Sequence, residues 1–436
     1  MATQRSRVGI GLIGLGVVGS GVARILQEKA QVYARQVDCP LCLTRILVRD
    51  PTKDRGPGID KSLLTTDASA ILDDPAVDIV IEVMGGESPA HDYVRRALSA
   101  GKYVVTANKE VIAKHGAELR SLAEEKGVDI LYEASVGGGI PIIAPLKRDL
   151  LANDIEAISA IINGTTNYIL TCMSREGRDF GEALGQAQAL GYAEPDPAND
   201  VEGIDAAYKL AILASLAFHT RLHPDDVYRE GITRLSSRDF RYASELGYVI
   251  KLLALARKLD GGLQVRVHPT LLAREEELAK VDGVLNAVQV EGDLLGRVLF
   301  QGRGAGALPT ASAVVADVLD AALRVVGASP RQPGPAGSAA GGPLTVRPMS
   351  DLRTRYYMRM SVADRPGVLG QIARVLGDHD ISIASVIQKE ADERAQTAEI
   401  VIMTHEAQEA NVRNAFREME QLPVVAEIGN LLRVEG

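Results

Sequence analysis

The chain has 436 residues, 46% of them apolar and 24% charged, enough to build packed cores in two or three domains. Forty-eight Lys and Arg against 57 Asp and Glu leave a net charge of −9, a field that repels phosphate and argues against a general nucleic-acid or membrane-surface binder. The sequence has no apolar run of about 18 residues and a polar start unlike a secretory signal, and its three cysteines cannot form a disulfide framework, so a cytoplasmic protein is expected.

Five runs punctuate the first 135 residues: Val8–Ile13, Leu43–Val48, Ile79–Met84, Lys102–Thr106 and Val128–Tyr132. Each is rich in Val and Ile and bounded by Gly, Asp or Pro, as parallel strands buried on both faces should be. Val17–Tyr33, Pro89–Ala100 and Lys109–Lys126 are long enough for crossover helices, so a doubly wound, Rossmann-like α/β domain is predicted. The pattern from Pro141 to Gln301 is mixed. Helices are predicted at Gly203–His219 and Arg241–Leu259, and strands at Ile155–Ile162, Leu263–Pro269 and Ala287–Glu291, giving an α+β domain. A further helix at Ala305–Leu323 is expected to return to the first domain. Ser329–Pro343 holds four Pro and four Gly in fifteen residues and reads as a linker. Tyr356–Val362, Gly367–Leu376, Ile381–Gln388, Ala398–Thr404, Asn411–Leu422 and Val424–Arg433 then read as strand, helix, strand, strand, helix, strand, the ferredoxin-like βαββαβ order.

Gly14-Leu15-Gly16-Val17-Val18-Gly19 fits G-x-G-x-x-G, after a strand-like run and before a helix, the context in which that motif binds a dinucleotide. Gly14 permits the tight turn, Gly16 lets the backbone approach a diphosphate, and Gly19 lets the helix pack on the strand. The diphosphate would meet N–H groups at the helix N-terminus. Beyond the second strand stand Arg49 and Asp50, with Lys53 and Arg55 close behind. An acidic residue there suits the ribose diol of NAD, whereas an arginine can hold the 2′-phosphate of NADP. The basic residues tilt the reading toward NADP, and Asp50 keeps NAD open.

Two segments point to the chemistry. Thr106-Ala107-Asn108-Lys109 falls at the carboxyl end of the fourth strand, the edge where open α/β sheets bind ligands, which would turn Lys109 toward nicotinamide and substrate. A solvated lysine is the plain alternative, but a cation at a helix N-terminus is mildly unfavourable and asks for a reason. In Gly191–Lys209, two prolines stiffen an acidic loop before a helix on which Asp205 and Lys209 lie four apart, on one face. An exposed pair of this kind is worth only about 0.2–0.5 kcal/mol. The apolar stretch Leu210–Phe218 buries this helix and favours an acid–base lysine beside groups that recognise an ammonium.

Together, GLGVVG, TANK, EASVGGGIPI (Glu133–Ile142), NGTTNYIL (Asn163–Leu170), GYAEPDP (Gly191–Pro197) and GRGAGALPTASAVVAD (Gly302–Asp317) resemble homoserine dehydrogenase, in order, from about Val8 to Asp320. The segment from Tyr356 onward resembles an ACT domain, a small amino-acid-sensing module, and with the first strand expected at Val8 a form fused to a kinase is not expected. The resemblance implies reduction of L-aspartate 4-semialdehyde to L-homoserine with NAD(P)H, on the route to threonine, methionine and isoleucine. It implies that Lys209 is the acid–base lysine and Lys109 a second lysine at the reacting centre. It makes Glu194 and Asp205 the holders of the substrate amino group, with Asp200 in the same acidic shell. It also places Thr106 and Gly304 along the cofactor, and Glu133, Val136, Gly138 and Ile140 around a monovalent cation, usually Na⁺, held largely by carbonyl oxygens. The implied organisation is a dinucleotide-binding domain at 1–140 with a returning segment at about 302–325, a substrate-binding, catalytic and dimerisation domain at 141–301, a linker at 326–353 and an ACT regulatory domain at 354–436. A homodimer or tetramer is expected.

Asp364-Arg365-Pro366-Gly367-Val368-Leu369 joins a strand to a helix whose N-terminal N–H groups could hold an effector carboxylate, with L-threonine the first candidate by resemblance; an ordinary capped helix is the alternative. Cys39-Pro-Leu-Cys42 fits C-x-x-C but has no second pair and precedes a strand, so a redox or metal role is not expected. Two other functions compete: another amino-acid-route oxidoreductase, such as an aspartate-semialdehyde dehydrogenase using Cys172 or a diaminopimelate dehydrogenase, and a nucleotide-sensing regulator without catalysis.

Overall fold

The protein is described here by a computed structural model covering residues 5–53, 59–328, 344–392 and 396–435, so Arg55 and the 329–343 segment lie outside the described residues. Strand β1 (Val8–Ile13) is buried at every position and leads through the glycine turn into α1 (Val17–Glu28). Then follow α2 (Ala30–Val37), β2 (Leu41–Leu47), β3 (Leu64–Thr65), α3 (Ser69–Leu72), β4 (Ile79–Glu82), α4 (Ala90–Ser99), β5 (Tyr103–Thr106), α5 (Lys109–Lys126) and β6 (Ile130–Leu131). The strands are parallel in the order β3-β2-β1-β4-β5-β6, so the strand order reverses between β1 and β4, where the glycine turn emerges. The five predicted strands are present, the first with the predicted bounds and the other four with shifted ends, and two-residue β3 adds an edge. The helix predicted at Val17–Tyr33 is two helices, because Lys29 leaves helical geometry (φ −108°, ψ 14°).

The middle of the chain runs α6 (Ile143–Lys147), β7 (Ile155–Ile161), α7 (Gly164–Glu176), α8 (Phe180–Ala189), α9 (Ala198–Val201), α10 (Ile204–Ala217), β8 (Tyr228–Arg229), α11 (Ser237–Glu245), β9 (Tyr248–Leu259), β10 (Gly262–Ala273), β11 (Leu285–Gly292), β12 (Gly296–Arg303) and α12 (Ala307–Val325). The helix predicted at Arg241–Leu259 does not form as one element. A Ser236–Asp239 capping box starts α11, Gly247 at φ +84° follows it, and Tyr248–Leu259 is a strand paired antiparallel with β10. Its run is apolar at nearly every central position and buried from Ile250 to Ala256, so period alone could not separate strand from helix. Asp260-Gly261, with Gly261 at φ +73°, was the overlooked hairpin signal. Helices α7 and α8 and strand β12 have no counterpart among the predicted elements.

The last segment is β13 (Arg353–Ala363), α13 (Val368–Asp378), β14 (Ile383–Asp392), β15 (Thr397–Thr404), β16 (Ala407–Gln408), α14 (Glu409–Met419) and β17 (Val425–Glu435). Its main strands are ordered β17-β13-β15-β14, the ferredoxin-like arrangement, over a core that includes Tyr356, Met358, Ile372, Ile400 and Val412. Strand β17 also pairs in parallel with β10, Thr270 to Arg433 through Leu272 to Glu435.

Packing groups the described residues within 1–158, 208–226 and 286–344 into one compact unit, and those within 159–207, 227–285 and 345–436 into a second. In the first, α12 lies on α1, where a Cβ on Gly21 would come within 3.1 Å of the Ala307 carbonyl oxygen. Val314, Val318 and Ala322 of α12 join Ile10, Leu12 and Val22 in one apolar core. No described helix is long and apolar enough to cross a membrane.

Candidate active site

The three motif glycines do different work. Gly14 has φ +99°, and a Cβ there would lie 3.0 Å from the Val83 carbonyl oxygen. A Cβ on Gly19 would run into the Gly14 carbonyl oxygen, so this position must stay bare for the helix to follow the turn. Around Gly16 a Cβ would meet nothing within 4 Å, so that glycine leaves open space rather than relieving a clash. Helix α1 opens beside that space with Val17 72% exposed and no acidic residue in its first turn. Its ladder begins with Ser20 N–H donating to the Gly16 carbonyl oxygen (2.9 Å), so the N–H groups before Ser20 lie ahead of the ladder, the ordinary anion-binding arrangement of a helix start. Arg49, Asp50 and Lys53 are exposed; the Asp50 carboxylate accepts from Thr52 N (2.8 Å) and Oγ1 (2.6 Å), folding residues 50–52 into a turn.

Thr106 is fully buried at the end of β5, opposite Glu82 of β4. Its hydroxyl donates to Glu82 (2.6 Å) and accepts from Asn108 N (2.9 Å). Asn108 caps α5 by accepting from Glu110 N and Val111 N, while its amide donates to the Gly86 carbonyl oxygen (2.7 Å). These bonds fix the first turn of α5, where Lys109 stands half-buried. Burial pushes the Glu82 carboxyl up, against the bonds it accepts from Thr106 and Met84. Nothing in the sequence reading gave Glu82 a role, although a carboxylate inside the apolar run Ile79–Met84 was itself a signal.

The acidic residues are organised by another unassigned side chain. Asn163 is 5% exposed and donates from Nδ2 to both Asp200 (2.6 Å) and Asp205 (2.9 Å). Its Oδ1 accepts from Thr166 N (2.8 Å), capping α7. One amide thus holds two carboxylates together, and Asp205 stands one turn before Lys209 on α10, the lysine half-buried. Glu194 is exposed in the preceding loop, whose backbone is tied by Gln188 Nε2 to the Glu194 carbonyl oxygen (3.1 Å) and by Thr165 Oγ1 to the Tyr192 carbonyl oxygen (2.7 Å).

The loop at 136–140 lies beside residues 302–306: Gly139 N donates to Arg303 O (3.3 Å), and a Cβ on Gly138 would strike the Gly304 carbonyl oxygen. Gly137 and Gly138 take φ +71° and +57°. The buried Glu133 carboxylate accepts from Ile142 N (2.6 Å), Ile143 N (2.7 Å) and Ala144 N (2.7 Å), so it is engaged in starting α6. Asp317 of α12 accepts from Glu133 N (2.8 Å), and burial with the nearby Glu133 charge pushes its carboxyl up to about 8. Cys172 is buried, which pushes its thiol up, the reverse of what a nucleophilic cysteine needs.

A 3-2-1-4-5-6 parallel sheet with an open glycine turn at its switch point, and a lysine-bearing helix at the carboxyl edge, defines a dinucleotide-binding protein of the Rossmann class. Residues 14–133 match the family described as homoserine dehydrogenase, NAD binding domain, residues 141–319 match homoserine dehydrogenase, and residues 356–424 match the ACT domain. Homoserine dehydrogenases of Synechocystis sp. and Mycobacterium tuberculosis are 47% and 46% identical to it, covering 98% and 100% of this chain and 99% of each relative. The crystal structure of a homoserine dehydrogenase from Thiobacillus denitrificans superposes with a TM-score of 0.91 at 43% identity, covering 98% of both chains. A hyperthermophilic archaeal homoserine dehydrogenase mutant in complex with NADPH matches with a TM-score of 0.62 at 31% identity, covering 73% of this chain and 98% of its own. The chain belongs to the homoserine dehydrogenase family, and it is an oxidoreductase with a nicotinamide-cofactor domain and a C-terminal ACT domain.

Proposed function

We propose that the chain interconverts L-homoserine and L-aspartate 4-semialdehyde with NADP as the preferred cofactor, in the cytoplasm and as a homo-oligomer, on the route to threonine, methionine and isoleucine. The observation that carries this reading is the carboxylate pair on Asn163, with Asp205 one helical turn before Lys209. Asp205, with Asp200 beside it and Glu194 in the adjoining loop, binds the substrate ammonium. Lys209 Nζ takes the hydroxyl proton of homoserine during oxidation and returns it to the aldehyde oxygen during reduction, general acid–base work worth about 10²–10⁴-fold. Lys109 Nζ stabilises the charge that develops on that oxygen.

The nicotinamide cofactor, when bound, supplies the hydride exchange. The space left bare at Gly16 and the start of α1 fit its diphosphate, and Gly14, Leu15, Val17, Val18 and Gly19 line that turn. Thr106 and Gly304 border the cofactor further along, while Arg49 and Lys53 select the 2′-phosphate. Arg55 would join them but lies outside the described residues. The solved archaeal relative with NADPH supports the NADP preference. The loop of Glu133, Val136, Gly138 and Ile140 would hold Na⁺ by main-chain carbonyls; the Glu133 carboxylate is already engaged, which supports a carbonyl site.

L-Threonine is the proposed feedback effector, its carboxylate held where Gly367 (φ +88°) caps α13 and its ammonium by Asp364. Coupled assays of NADP⁺ and NAD⁺ reduction with L-homoserine test the main reading; no reduction with either, from neutral to alkaline pH, overturns it. Calorimetry with threonine tests the effector, and an absence of both binding and inhibition removes it.

A further inference from the structure

His91 in the first turn of α4 and His115 and Glu118 in α5 form a cluster that the proposed hydride chemistry does not use. Potential ligand atoms of the three all lie within 4.8 Å of one another. The imidazoles are stacked, with centroids 4.0 Å apart and planes 27° from parallel. Stacking explains the contact but not the state of His91, whose Nε2 is buried and has no hydrogen-bond partner among the described residues. A buried nitrogen of this kind is costly to leave unmet.

Glu87 adds a fourth element. His91 N–H donates to the Glu87 carbonyl oxygen (2.9 Å), keeping the two residues together ahead of α4. The Glu87 carboxylate lies 2.8 Å from His115 Nε2 and accepts from Lys114 Nζ (2.6 Å). Those bonds to Lys114 and His115 hold its carboxyl down to about 2, so it stays ionised.

We propose that His91, His115 and Glu118, backed by Glu87, form a binding site for a divalent cation of the zinc type. Two imidazoles with a carboxylate suit zinc, whereas magnesium and calcium prefer all-oxygen sites. Ligands at about 2.0–2.1 Å from zinc stand about 3–3.5 Å apart, so the three groups, now within 4.8 Å of one another, must draw closer for the site to close. Glu87 either orients the His115 ring from its Nε2 side, as carboxylates do for metal-bound histidines, or joins the ligands there. The ion would tie α4 to α5.

The test is calorimetric titration of untagged, chelator-treated full-length protein with ZnCl2, with Co²⁺ absorption as the coordination readout. One equivalent binding in the micromolar range is expected, with His91→Gln and Glu118→Gln each weakening it by about tenfold or more and His91→Gln/His115→Gln abolishing it. Melting curves without metal show whether each variant is folded, and Glu118→Gln, an exposed change, carries the test if the histidine variants fail. Binding weaker than about 1 mM overturns the site. So does an equivalent that survives the double variant, which would lie elsewhere, for instance at Cys39 and Cys42. Homoserine oxidation by these variants is expected to persist, so loss of zinc binding and failure of the proposed reaction are read separately.

Discussion

The glycine turn at residues 14–19 and the acidic cluster around Asn163 both offer charge-binding groups, but the first uses main chain and the second uses side chains. At the turn, the sequence needs only to omit a Cβ where one would collide, at Gly14 and Gly19, and where a ligand must come close, at Gly16. At the cluster, one amide bonds two carboxylates that lie 37 and 42 residues further along the chain. A main-chain site therefore tolerates many neighbours and few substitutions at its glycines. A side-chain site depends on each partner's identity.

The sharpest test of the side-chain region is Lys209→Ala, expected to lower turnover by about 10²–10⁴ while nucleotide affinity, measured by fluorescence titration, stays near wild type. Near-normal turnover would move the acid–base role to Lys109. Asn163→Ser comes next. It keeps an N-cap for α7 but removes both amide bonds to carboxylates, and bonds of that kind are worth about 1.5–3 kcal/mol. An increase of about tenfold or more in the KM for homoserine, with little change in Tm, is expected; an unchanged KM would mean that the carboxylates hold their places without it.

At the main-chain region, Gly16→Val is expected to keep the melting temperature and weaken cofactor binding by about tenfold or more, because the new side chain fills space that only a ligand would use. Gly19→Val is expected instead to lower stability, since its Cβ meets the Gly14 carbonyl oxygen. If the two variants melt alike, the division of labour among the glycines is wrong. The smallest effect is expected for exposed Arg49: Arg49→Ala should raise the KM for NADPH several-fold more than that for NADH, on the order of a charge-assisted bond in solvent. Equal changes would place Arg49 away from the phosphate.

What could be read in advance follows the same division. Alternating apolar runs and glycine spacing give the Rossmann sheet and its turn, because both follow from backbone needs over a few residues. The βαββαβ tail was legible for the same reason. Strand β9 was not, since Leu, Ala and Lys in Tyr248–Leu259 favour a helix locally and only pairing with β10 makes it extended. Asn163 and Glu82 escaped notice because their partners lie far along the chain: Asp200 and Asp205 for one, Thr106 for the other. Asn163 did carry one local sign, an asparagine just before a helix.

The parallel pairing of Thr270–Leu272 with Arg433–Glu435 means that the C-terminal module is joined by a strand, not only by a tether. Arg433 is fully buried and bonds Glu230 and Glu409, so cutting the chain before β13 removes a cation that favours the ionised form of half-buried Glu230. It also bares a strand edge whose N–H and C=O groups can recruit another chain. A shortened protein is therefore expected to aggregate rather than act as an unregulated enzyme. Any exchange of this module, in evolution or by design, has to supply a final strand that fits the same edge and an arginine at the same register.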